Sequence, residues 1–152
     1  QLDRFLLKMK MGYPSHEEEI DILTRAQHRP PIEDLQPVIT VNELIVLQDA
    51  VKNVFVDETV KSYIVSISER TRTHGQVYLG VSPRGSIALM KAAQAYAFIH
   101  GRDYVVPDDV QFLAPHVFSH RIILRSEAKY DGVSPQDVVY SIMTTTRVPI
   151  RR

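Results

Sequence analysis

The chain contains no cysteine and no tryptophan. Without thiols it has no disulfide framework, no Cys-based metal site and no thiol nucleophile, a pattern that fits the cytosol. No apolar run approaches the roughly 20 residues that cross a bilayer. The opening residues, Gln1-Leu2-Asp3-Arg4-Phe5, lack Met and carry no signal-peptide pattern. They start inside sequence that reads as structured, so a piece of a longer chain is expected. Net charge is missing too, with 18 basic residues against 18 acidic ones. A nucleic-acid binder would show a dense Lys/Arg stripe interleaved with aromatics, and no such stripe exists, so no nucleic-acid partner is expected.

What remains is an ordinary globular composition, 44% hydrophobic and 24% charged over 152 residues. That length holds one domain, or a small domain with part of another. Charge is unevenly spread: residues 31–60 hold six acids and one Lys, and residues 61–105 hold six bases and two acids. The basic stretch points weakly to an anionic partner.

Leu7-Lys8-Met9-Lys10-Met11 alternates apolar and basic residues and predicts a half-buried strand ending at Gly12 and Pro14. Ser15-His16-Glu17-Glu18 is a capping box. The helix it opens carries Ile20, Ile22, Leu23 and Ala26 and stops before Pro30-Pro31. Residues 29–39 hold three prolines and are the expected linker. Beyond it the pattern is helical throughout. Thr40-Val41-Asn42-Glu43 is a second capping box, starting a helix with Leu44, Leu47 and Val51 on one face. Asp57 caps a third helix, to about His74, with Val60, Ile64 and Ile67 in register, and residues 75–81 read as an extended loop. The next helix carries Ala88, Leu89, Ala92, Ala93, Ala95, Tyr96, Ala97 and Ile99 around most of its circumference, so it is expected to be central and buried. Gly101 ends it as a left-handed cap. Pro107-Asp108-Asp109 opens a helix with Val110, Leu113, Val117 and Phe118 inward, and Ser134-Pro135-Gln136-Asp137 opens the last, to about Thr146.

The most informative stretch is Gly80-Val81-Ser82-Pro83-Arg84-Gly85, ahead of the central helix. Ser82 is suited to cap the free N–H groups, and Pro83 fits the first helical position. Arg84 then sits in the first turn, where a cation opposes the helix dipole. It is free of consequence if it points to solvent. It is useful if an anion binds there, because dipole, N–H groups and guanidinium then converge on one phosphate.

Other motifs fail on chemistry. Gly75-x4-Gly80 and Gly80-x4-Gly85 mimic a phosphate loop, but neither is followed by the Lys and Ser/Thr that reach phosphate and Mg²⁺. Gly80-x-Ser82 resembles a nucleophile elbow, but Arg84 stands where the sharp turn needs Gly. His116 and His120 have helical metal-ligand spacing without a third ligand, so no metal is assigned. Glu17 to Glu19 read as a solvated helix start rather than an acid/base pair.

Three segments occur in order: Gln1-Leu2-Asp3-Arg4-Phe5 before Gly12-Tyr13-Pro14; Gly80-Val81-Ser82-Pro83-Arg84-Gly85 before an Ala-rich helix; and Gly101-Arg102-Asp103-Tyr104-Val105-Val106-Pro107-Asp108-Asp109-Val110. Together they resemble the C-terminal part of MoxR-type AAA+ ATPases, over nearly the whole chain and most weakly over 29–56 and after 125. Val106 departs from the family's Thr or Ser cap, leaving Pro107 to define that helix start.

The resemblance implies a mainly α chain. Residues 1–28 would be the last strand and helix of the α/β nucleotide-binding core, 29–39 a linker and 40–152 the helical lid. Arg4 matches the arginine finger, which reaches the γ-phosphate held by a neighbouring subunit. Arg84 matches the sensor-2 Arg, and Gly80, Ser82 and Pro83 belong to the same nucleotide-facing turn. Thr71-Arg72 matches a family pair of less defined role. The phosphate loop and Mg²⁺-holding acids (Walker A and B) are not among these residues, so the chain by itself is expected to be inactive. The full-length protein would be a ring-forming ATPase, hexameric and cytoplasmic, using ATP and Mg²⁺, with chaperone-like action on partners such as a von Willebrand A-domain protein. The alternative is a non-enzymatic helical protein-interaction module, in which Arg4 and Arg84 are ordinary surface charges.

Overall fold

In a computed structural model of the chain, residues 2–28 and 31–150 are described. Gln1, the first residue of the finger-like segment, and Arg29 and Pro30 of the expected linker lie outside the described residues. Contacts divide the chain into two compact units. One comprises Met9–Gln48; the other comprises the described residues up to Lys8 and from Asp49 onward. The expected linker at 29–39 does not coincide with either division. No helix among the described residues is long and apolar enough to cross a membrane.

The Met9–Gln48 unit carries helix α1 (His16–His28), a short 3-10 turn (Pro31–Asp34) and most of helix α2 (Val41–Lys52). Both capping boxes form. Glu18 accepts from the Ser15 N–H at 2.7 Å, and Glu43 accepts from the Thr40 N–H at 2.7 Å. The apolar faces form but are not buried: Ile20, Ile22 and Leu23 of α1 and Leu44 and Leu47 of α2 are all exposed.

The second unit holds the hydrophobic core. Its elements are helix α3 (Glu58–Thr73), strand β1 (Val77–Leu79), helix α4 (Pro83–Ile99), helix α5 (Pro107–Phe118), strand β2 (Ile123–Leu124), helix α6 (Ser126–Tyr130) and helix α7 (Pro135–Thr145). Asp57 caps α3 by accepting from the Thr59 N–H at 2.8 Å. Helix α4 lies at the centre, packed against α3 and α5, with Ala88, Leu89, Ala92, Ala93 and Ala97 buried. Small residues on this face let neighbouring helices approach closely. Ala95 and Tyr96 are half-buried, and Ile99, expected inside, is exposed because it lies at the last turn, past the packed face. Gly101 takes φ +71 and closes α4: its N–H bonds to Phe98 O at 2.9 Å, and the Arg102 N–H reaches Ala97 O at 2.9 Å. Val110, Leu113, Val117 and Phe118 of α5 are buried as expected.

Three local expectations are corrected. Residues 75–81 are not all loop, because β1 pairs antiparallel with β2, Val77 opposite Leu124 and Leu79 opposite Ile123. The strand expected over Leu7–Met11 is not formed. Leu7 packs against the core and the Lys8 N–H donates to His116 O at 2.9 Å, so this backbone bonds to the end of a helix instead of a ladder. A strand needs a partner edge, and none pairs with this segment among the described residues. The start of α5 is held by more than Pro107: Asp109 accepts from the Val106 N–H at 2.9 Å and pairs with Arg102 at 2.6 Å.

Candidate functional site

The turn entering α4 is built by the end of α3. Thr71 and Val81 are both fully buried, and the Val81 N–H donates to Thr71 Oγ1 at 2.9 Å. Arg72 Nε donates to Val81 O at 2.7 Å, so one α3 residue holds each backbone polar group of Val81. Gly80 runs so close to α3 that a Cβ would sit 2.7 Å from both Arg72 Cα and Arg72 N. Thr71-Arg72, a pair without a defined role in the sequence, thus sets where the Gly80–Arg84 turn begins. Ser68 Oγ lies 2.8 Å from Ser86 Oγ and ties α3 to the first turn of α4 as well.

Ser82 occupies the N-cap position with extended backbone, φ −74 and ψ 165, but makes no side-chain capping bond. This corrects the expectation that its hydroxyl would satisfy the first N–H groups. Pro83 takes the first helical position as expected. Arg84 is exposed in that first turn, with no hydrogen bond or ion pair among the described residues. An uncapped helix start beside an unpaired guanidinium is chemically suited to an anion.

Arg4 lies in a 3-10 turn, Leu2–Arg4, and is exposed, its guanidinium 5.7 Å from the centre of the Phe5 ring. It belongs to the same compact unit as Arg84. What joins the two segments is Arg121, in the 3-10 turn Ser119–Arg121 after α5. Its side chain is only 2% exposed. Nη2 donates to Asp3 O at 3.0 Å and Phe5 O at 2.5 Å; Nη1 donates to Leu6 O at 3.1 Å and to Val117 O; and Nε lies 3.1 Å from Asp3 Oδ1. The stem passes over Gly85, where a Cβ would lie 3.0 Å from Arg121 Cδ. Burial pushes the Arg121 pKa below the ordinary arginine range, the Asp3 carboxylate opposes this, and the like charge of Arg84 adds to the lowering. Sequence reasoning missed Arg121. The available signal was only that Arg121 stands directly before the apolar Ile122-Ile123-Leu124.

His116 and His120 are not on one helix, since α5 ends at Phe118. His120 Nε2 lies 3.0 Å from Phe5 O, in the same cluster as Arg121. Among the described residues no group of three His, Cys, Asp or Glu side chains could hold a metal ion.

Comparison with known proteins bears on this geometry. Residues 69–142, which run from the end of α3 into α7, match the AAA lid domain. The chain is 55% identical over 152 residues to the uncharacterized protein YeaC of Bacillus subtilis (strain 168), covering all of this chain and 48% of that protein. It is 36% identical to the chaperone MoxR1 of Mycobacterium tuberculosis, covering 98% of this chain and 41% of MoxR1. Among solved structures, a Cytophaga hutchinsonii protein described as a candidate ATPase superposes with a TM-score of 0.89 at 26% identity, over 98% of this chain and 48% of that one. The chain spans about half the length of the curated relatives it matches.

Proposed function

We propose, for a chain that belongs to the MoxR-type AAA+ ATPases and carries their lid domain, that the full-length protein is a ring-forming ATPase with chaperone-like action. Arg84 is its sensor-2 residue. Gly80, Ser82 and Pro83 shape the turn that presents Arg84 to nucleotide, and Arg4 is the arginine finger directed at the nucleotide of a neighbouring subunit. The observation that carries this reading is the start of α4: an exposed guanidinium with no hydrogen bond or ion pair among the described residues, at a helix N-terminus whose N-cap Ser82 makes no side-chain capping bond.

Phosphoryl transfer needs positioning and neutralisation of charge on the transferred group. Bound ATP supplies that group and Mg²⁺ part of the neutralisation. The residues present fit the anionic end of ATP, whereas the phosphate loop and metal ligands come from outside these 152 residues, which by themselves do not turn ATP over. Because Arg84 is carried by a lid and Arg4 by the segment tied to it, closure depends on nucleotide and converts binding into motion. That motion acts on a protein client in the cytoplasm, with a von Willebrand A-domain protein as a candidate partner and a hexamer as the assembly. MoxR1, the similar Mycobacterium tuberculosis protein, is named a chaperone.

The test is Mg²⁺-dependent ATP hydrolysis by the full-length protein and its Arg84 variants. Arg84→Ala is expected to slow turnover and loosen nucleotide-dependent compaction, and Arg84→Lys to restore part of both, keeping the charge but losing the planar fork. Unchanged hydrolysis and compaction in Arg84→Ala removes the sensor role.

A further inference from the structure

We propose that Arg121 is a positioning residue that locks the Arg4 turn to the start of α4, so that the two cations are set as one unit. This rests on the reading of Arg4 and Arg84 above. It follows from what the buried guanidinium touches. Three of its four carbonyl acceptors, Asp3 O, Phe5 O and Leu6 O, flank Arg4 on both sides, and the fourth, Val117 O, is on the lid's own α5. The Asp3 carboxylate closes the ring of contacts at 3.1 Å. The other side of the stem lies against Gly85, the residue after Arg84.

No lysine could make this joint. An ammonium is a single point with three donors, whereas the guanidinium presents five N–H groups in a fixed plane and can address several carbonyls at once. The ribbon supplies the geometry. β1 leads directly into Gly80 and β2 begins one residue beyond Arg121, after Ile122, so pairing Leu79 with Ile123 brings the Arg121 turn beside the entry of α4. A segment that forms no strand of its own is thereby fixed by backbone bonds to one side chain and, through Lys8, to His116 O at 2.9 Å. The joint transmits lid position to the finger: where α4 goes, the Arg4 turn follows.

The test uses the full-length protein carrying Asp3→Asn, Arg121→Lys and Arg4→Ala, singly and as the doubles Asp3→Asn/Arg4→Ala and Arg121→Lys/Arg4→Ala. ATP turnover is measured together with amide exchange at Lys8, Leu89 and Ala93. Asp3→Asn and Arg121→Lys are each expected to lower kcat about ten-fold, since a misplaced catalytic group costs rate rather than binding. KM for ATP is expected to stay within about two-fold, and Lys8 exchange to speed up while Leu89 and Ala93 in the core of α4 stay protected. On the Arg4→Ala background the further loss is expected to vanish, because the residue being positioned is gone. Losses that multiply with Arg4→Ala overturn the proposal, as does an unchanged kcat with faster Lys8 exchange. If Arg121→Lys also exposes Leu89 and Ala93, the half-exposed Asp3→Asn carries the test. If Arg4→Ala alone leaves turnover intact, the finger reading fails separately; the joint is then judged by Lys8 exchange, and unchanged exchange in both variants overturns it.

Discussion

Thr71 and Val81 close the entry to α4 through one buried hydrogen bond. The Val81 N–H donates to Thr71 Oγ1 at 2.9 Å, and the same hydroxyl donates to Ser68 O at 2.6 Å. Thr71→Val keeps the shape but leaves the Val81 N–H buried and unpaired. The expected cost is about 1–3 kcal/mol of lid stability. A thermal melt of the chain checks it, and an unchanged Tm would show that the bond contributes nothing net.

Gly80→Ala tests the close passage of the same turn over α3. The added Cβ meets Arg72 Cα and N at 2.7 Å, and backbone atoms of a packed helix cannot swing away as a side-chain tip can. A loss of about 1–3 kcal/mol is expected. Gly75→Ala is the control, since nothing lies within 4 Å of a Cβ there. Equal melting temperatures for the two variants would contradict the close-approach argument.

Arg4→Ala in the full-length protein is expected to leave ATP binding intact and to cut turnover by about 10³–10⁵, the range in which arginine fingers act. Mixing this variant with one lacking the phosphate-loop Lys creates some sites that pair an intact loop with a neighbour's intact Arg4. Activity is expected to return in part. Mixed rings that form and stay dead at every ratio show that Arg4 does not act across a subunit interface.

The start of α7 carries a pH dependence of defined sign. The Ser134 hydroxyl and N–H donate to Asp137 Oδ2 at 2.6 and 2.8 Å, and these bonds hold the Asp137 carboxyl below the ordinary aspartate range. A depressed carboxylate pKa stabilises the fold above the ordinary value, and the contribution is lost as pH falls through the lowered one. Asp137→Asn is therefore expected to lower Tm at neutral pH, with the gap from the parent chain closing as both are acidified. A gap that stays constant with pH would assign the effect to packing instead. Glu18 and Glu43, lowered by bonds from Ser15 and Thr40, follow the same sign at the starts of α1 and α2.

The helices of the lid were legible because their determinants are local. Asp57, Thr40, Ser134 and Gly101 act on N–H and C=O groups within a few residues, and the 3.6-residue period of Val60, Ile64 and Ile67 needs no knowledge of the partner helix. The position of Arg84 in the first turn of α4 was legible for the same reason, from Pro83 alone. Ser82 marks the limit of that reading: a capping residue type at the capping position did not form the capping bond, because the entry to α4 is held from outside by Thr71 and Arg72.

What the tertiary structure decided is every relationship between residues far apart in sequence. Leu79 and Ile123 pair across more than forty positions, and two short strands of three and two residues are too brief to show a period. Leu7–Met11 alternates as a strand does, yet alternation states only which faces differ, and a strand exists only where another edge accepts its hydrogen bonds. The sequence did not single out Arg121, because three of its carbonyl acceptors lie more than a hundred residues away along the chain. Its burial, and with it the junction between the Arg4 turn and the α4 start, exists because pairing of β1 with β2 carries a charged side chain beneath a segment over a hundred residues earlier, where backbone carbonyls replace the water it leaves behind.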